Sequence, residues 1–93
     1  MTALRIIVSG MVQGVGYRQW LRERALLAGV TGWVRNRSDG TVEALLAGAP
    51  GTLEALVAEA RKGPRGARVT DIERREASAT DHAAVDFSIA PSL

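Results

Sequence analysis

A strand-like run, a glycine-punctuated turn and a helical period follow one another without a break at the start of this chain, and that order constrains the fold most. The apolar run is Leu4-Arg5-Ile6-Ile7-Val8. The turn is Gly10-Met11-Val12-Gln13-Gly14-Val15-Gly16-Tyr17-Arg18, and the helical pattern begins near Tyr17. Gly14 and Gly16 let the backbone fold tightly and aim several N–H groups at one point. The helix behind them adds its unpaired first amides and the positive end of its dipole. Arg18 adds a fixed charge on a planar fork of donors. Such a cradle suits a tetrahedral dianion, most naturally a phosphoryl group, with Gln13, Gly14, Val15, Gly16, Tyr17 and Arg18 as its candidate residues.

Two common phosphate loops do not fit. A dinucleotide fingerprint started at Gly14 reaches Gln19 where it needs glycine, and no Lys-Ser or Lys-Thr pair follows the glycines as a nucleotide P-loop requires.

Tyr17 to Ala28 reads as a helix with Tyr17, Leu21, Ala25 and Ala28 on one apolar stripe, and Gly29 ends it. Val30 to Asn36 is β-prone, Arg37-Ser38-Asp39-Gly40 is a turn with an Asp-Gly hairpin signal, and Thr41 to Gly48 returns as a strand. A second helix runs from about Thr52 to Lys62, burying Leu53, Leu56, Val57 and Ala60, and Gly63-Pro64 stops it. Ile72 and Arg74 belong to a further strand. Val69 is out of phase with them, which predicts a bend near Thr70. After a linker of Ala, Ser, Thr and Asp, Val85, Phe87 and Ile89 share the phase of a last short strand.

This order is α+β: a ferredoxin-like split β-α-β sandwich (βαββαβ), an antiparallel sheet with both helices on one face. A right-handed first crossover makes the first two strands parallel, with the third between them. Their C-terminal ends then lie on one rim of the sheet, about 10 Å apart. The glycine loop leaves one end and Asn36 leaves the other, so both can face one pocket.

At 93 residues the chain is expected to form one domain, 1–93. It has no cysteine, which excludes disulfides, thiolate metal sites and cysteine nucleophiles. No apolar run approaches the roughly 18 residues of a membrane span, and no leader pattern opens the chain. A cytoplasmic location with no membrane partner is expected. The net charge is only +2, from 12 basic and 10 acidic residues, too thin for a duplex-binding stripe. Arg35 and Arg37, near the expected pocket, are candidates to attract a small anion. Ser9, Ser38 and His82 do not space as a nucleophilic triad. His82 reads as a surface residue, Asp39 and Gly40 as turn formers and Trp33 as packing.

The loop at 10–18 closely resembles the acylphosphatase signature. Gly32-Trp33-Val34-Arg35-Asn36-Arg37-Ser38-Asp39-Gly40-Thr41-Val42-Glu43 resembles that family's second motif, usually seen as GWVxNxxDGxVE. Gly63-Pro64 after the second helix fits as well, and the match runs in order through nearly the whole chain. Tyr17 stands where phenylalanine is commoner. The C-terminus departs from the family's aromatic-rich last strand, since Phe87-Ser88-Ile89 is followed by Ala90-Pro91-Ser92-Leu93. The resemblance implies hydrolysis of the carboxyl–phosphate bond of small acylphosphates, without metal or cofactor, with Arg18 and Asn36 at the positions of the family's catalytic arginine and asparagine.

The residues suit that chemistry. The leaving group is a carboxylate and needs no strong general acid. A loose phosphoryl transition state spreads charge over its equatorial oxygens, which converging amides and one guanidinium match. Asn36 can hold the attacking water through its amide oxygen. A small-molecule acylphosphate substrate and a monomer are expected. Two rivals carry less. An anion-binding module, alone or serving a fused maturation protein, would use the same loop without turnover, but a chain ending at residue 93 is expected to carry no fused domain. A single-stranded RNA binder on this sheet would need exposed aromatics on its first and third strands, and Leu4 to Gly10 and Thr41 to Gly48 have none.

Overall fold

A computed structural model describes residues 2–78 and 86–93. The elements are β1 (Thr2–Met11), α1 (Tyr17–Ala28), β2 (Thr31–Asn36), β3 (Val42–Gly48), α2 (Pro50–Lys62), β4 (Arg68–Ala77) and β5 (Phe87–Ile89). They form a five-stranded sheet in the order β4-β1-β3-β2-β5. β3 pairs antiparallel with both β1 and β2, so those two strands run the same way with β3 between them. Val8 and Asn36 both face Val42 in register, which sets Asn36 level with the end of β1 across one intervening strand.

The four strands β1 to β4 form the expected antiparallel arrangement, and β5 adds a parallel partner to β2, making the sheet mixed. β4 ends at the rim where β2 begins. A strand entering from that rim along the β2 edge runs in the direction of β2. Val85, expected to begin this strand, and His82 lie outside the described residues.

Period-2 alternation decides which face each strand residue serves. Leu4, Ile6 and Val8 of β1, Val34 of β2 and Val42, Ala44 and Leu46 of β3 turn to the helices and meet Tyr17, Leu21, Ala25, Leu53, Leu56, Val57 and Ala60. Burying a side chain of this size contributes about 1.5–3 kcal/mol. Ala28, expected on the same stripe, is exposed, because the chain leaves the helix there. Gly29 turns left-handed, its amide reaching Leu26 O at 3.2 Å and that of Val30 reaching Ala25 O at 2.9 Å, a Schellman ending. α2 starts at Pro50 rather than near Thr52, since proline's fixed φ suits the first helical position.

The bend expected near Thr70 is a one-residue bulge. Ser9 pairs with Asp71 and Gly10 with Val69, leaving Thr70 without a partner on β1. The β2–β3 connection is a three-residue loop, Ser38-Asp39-Gly40, closed by Arg37 N donating to Thr41 O at 2.9 Å. Only Gly40 is left-handed there, so this is a type I turn with a glycine bulge, not the two-residue turn that Asp-Gly most strongly signals. Asp39 Oδ1 accepts from the Thr41 amide and hydroxyl, fixing the loop.

Candidate active site

The glycine loop leaves β1 at the rim where β2 ends, and a pocket of about 200 Å³ opens between them. Gly14 and Gly16 have φ of 75° and 78°, and a Cβ on either would meet nothing within 4 Å. Their requirement is therefore conformational, since a left-handed backbone costs an L side chain roughly 1–2 kcal/mol. Gly16 is also the N-cap of α1. It offers no capping side chain, and the first turn holds no acidic residue. The amides of Tyr17, Arg18 and Gln19 at this positive helix end have no partner within the helix.

The structure brings Gln13, Gly14, Gly16, Tyr17 and Arg18 to the pocket together with Asn36. Val15 is not among the lining residues and packs against the hydrophobic core instead. Arg18 is partly exposed, and its guanidinium makes no hydrogen bond or ion pair with any described residue. Asn36, on the helix-facing side of β2 like Val34, is held by its backbone, whose carbonyl accepts from Leu93 N at 3.0 Å. Its Oδ1 is buried without a hydrogen-bond partner. A half-turn of the terminal amide exchanges the two atoms at little steric cost, and that orientation is needed for the oxygen to receive a water.

Two loop side chains do structural work that the sequence did not reveal. Gln13 Nε2 donates to Arg37 O and to Thr41 O, each at 2.9 Å, tying the loop to the β2–β3 hairpin. The Tyr17 hydroxyl donates to Ala60 O at 2.8 Å, and the residue is 1% exposed. That bond satisfies a carbonyl of the last α2 turn and fixes the start of α1 against it. Burial pushes the phenol's pKa far up, so it stays a neutral donor. Val12, inside the loop motif but not among its candidate residues, also lines the pocket, as do Gln19 and Ile89, to which no motif pointed. Ile89 could have been found only from the position of β5 beside β2.

Arg35 and Arg37, expected near the pocket, are on the other face of the sheet. Arg35 donates to Glu43 at 2.8 Å and lies 4.7 Å from the Trp33 ring centre, so Trp33 packs on the open face as expected. Among the described residues no cluster of His, Asp or Glu is disposed to hold a metal ion, and no helix is long and apolar enough to cross a membrane.

The family model described as acylphosphatase matches residues 4–89. The chain is 48% identical over 87 residues to an acylphosphatase of Rhizobium etli, covering 94% of this chain and 92% of that one. It is 47% identical to an acylphosphatase of Rhodospirillum rubrum, with both chains covered in full. The crystal structure of acylphosphatase from Bacillus subtilis superposes with a TM-score of 0.90 at 41% identity, over 97% of this chain and 99% of that one. With its strand order, its loop and these relatives in agreement, the chain belongs to the acylphosphatase family.

Proposed function

We propose that the acylphosphatase reaction of this chain takes place in the pocket between residues 13–18 and Asn36, with Arg18 and Asn36 as its catalytic residues. The protein is a hydrolase that cleaves the carboxyl–phosphate bond of small-molecule acylphosphates, yielding carboxylate and inorganic phosphate. The observation that carries the placement is the convergence, in one small cavity, of an unpaired guanidinium, the uncapped first turn of α1 and the amide of Asn36.

The phosphoryl group seats against the loop amides and the first turn of α1, with Arg18 donating a charge-assisted pair of hydrogen bonds. These donors are fixed before substrate arrives, so they stabilise the growing equatorial charge without reorganising. Asn36, with its amide turned to present the oxygen, holds a water behind phosphorus in line with the leaving carboxylate. A carboxamide is too weak a base to take the proton, which passes to a phosphoryl oxygen of the substrate. Every group in this scheme comes from one copy of the chain, so the domain 1–93 is expected to work as a monomer and without metal or other cofactor.

The test is hydrolysis of benzoyl phosphate and acetyl phosphate by purified protein, followed spectrophotometrically, with Arg18→Ala alongside and EDTA in a parallel arm. Turnover is expected in wild type, undiminished by EDTA, and lost in Arg18→Ala. An Arg18→Ala protein with wild-type turnover, or an EDTA-treated one restored only by zinc or magnesium, sinks the scheme.

A further inference from the structure

Asn36, the last residue of β2, stands between Arg35 and Arg37, and the strand's alternation, carried one residue further, sends its neighbours to the opposite face. There, with Arg5, Arg75, Glu43 and Glu73, they surround a second cavity of about 310 Å³. Four guanidiniums face the carboxylates of Glu43 and Glu73, and Asp39 stands beside Arg37.

The four arginines are not held alike. Arg35 sends both Nε and Nη2 to Glu43 Oε1 at 2.8 Å, and Glu43 is 3% exposed. Arg75 grips Glu73 Oε1 through Nε at 3.2 Å and Nη2 at 2.8 Å. Arg5 and Arg37 are looser. Arg5 Nε lies 3.6 Å from Glu43 Oε2, and Arg37 Nη2 lies 3.9 Å from Asp39 Oδ2, both beyond hydrogen-bond length. Two forks of donors therefore line the cavity in long ion pairs and without hydrogen bonds, beside the closely held Arg35–Glu43 pair. Ile7 and Leu93 supply apolar wall beside them.

We infer that this cavity on the open face of the sheet binds a small phosphomonoester, its phosphoryl group gripped by Arg5 and Arg37 and its organic body laid against Ile7 and Leu93. A phosphomonoester carries nearly two negative charges on one centre at neutral pH. A single tetrahedral group can accept from two planar forks at once, closer than the carboxylates at 3.6 and 3.9 Å that those forks now face. A dicarboxylate spreads the same charge over two centres. The site is separate from the catalytic pocket, which lies across the thickness of the sheet.

Arg18→Ala removes the competing phosphoryl grip in the catalytic pocket and leaves the open face untouched. In that variant, titration with phenyl phosphate at low salt is followed by NMR through the backbone amides and the arginine Nε–H signals. Inorganic phosphate and malonate serve as comparison probes. Saturable shifts are expected at Arg5, Ile7, Arg37 and Glu43, with phenyl phosphate the tightest of the three. Adding Arg5→Gln and Arg37→Gln, both on partly exposed side chains, should weaken it about tenfold or more, with spectra otherwise native in dispersion. Shifts confined to residues 13–19, affinity unchanged by the two substitutions, or malonate binding as tightly as phenyl phosphate would overturn the assignment.

Discussion

Asn36 carries two obligations, one through its backbone and one through its side chain. The backbone is pinned by Leu93, while the side chain ends in a buried oxygen without a donor. If that amide aims the attacking water, its loss is felt in the transition state and not in phosphate binding. Asn36→Ala is expected to lower kcat by about 100-fold or more while leaving the inhibition constant of inorganic phosphate nearly unchanged. Steady-state kinetics with phosphate as competitive inhibitor checks this, and wild-type kcat in the variant refutes it. Tyr17 is the opposite kind of residue, a pocket neighbour whose side chain serves the fold. Tyr17→Phe leaves Ala60 O buried without its donor and should cost about 1–2 kcal/mol. A thermal melt should show a midpoint several degrees lower, with kcat little altered.

Among the elements, the loop and the β2–β3 hairpin act as one unit because Gln13 joins them. Gln13→Ala removes both bonds to the hairpin and lets the loop amides drift, so KM for benzoyl phosphate should rise roughly tenfold. A variant with unchanged KM would show that the glycines alone hold the loop. The bounds of α1 were legible because a glycine turn opens the helix and Gly29 closes it, and the bulge at Thr70 was legible from the phase slip between Val69 and Ile72. The role of Gln13 was not, since no pattern in a sequence tells which carbonyls a side chain will meet 24 and 28 positions away. Arg35 and Arg37 are more instructive. Their separation from Asn36 follows from strand alternation alone, and nearness in sequence obscured it. β5 could not be oriented from sequence, because three residues carry too little pattern to fix a partner.

At the scale of the whole molecule, charge is unevenly spread. Arg61, Lys62, Arg65 and Arg68 are exposed and make no ion pair with any described residue. They sit at the rim where Arg68 pairs with Met11, at the mouth of the loop. This cationic edge should draw dianionic substrate inward, so kcat/KM is expected to fall as salt rises, more than in a variant with Arg61 and Arg65 changed to Gln. The acid limb of stability has a local origin too. Hydrogen bonds from Thr41 hold Asp39 below its ordinary 3.8, and Arg74 holds Glu54 below 4.5. A depressed folded pKa stabilises above the unfolded value and is lost as pH falls through the folded one. Urea midpoints of wild type and Asp39→Asn should therefore differ at pH 7 and converge as the pH falls through the folded-state value of Asp39.

β3 lies between the two strands that deliver Arg18 and Asn36, and neither delivering strand touches the other. On the proposed assignment, a chain that has joined its first strand to its first helix owns half of the chemistry and no way to use it. Only when the hairpin slots into the gap do Arg18 and Asn36 line one pocket. Turnover in this enzyme is thus a report that the middle of the sheet has been completed.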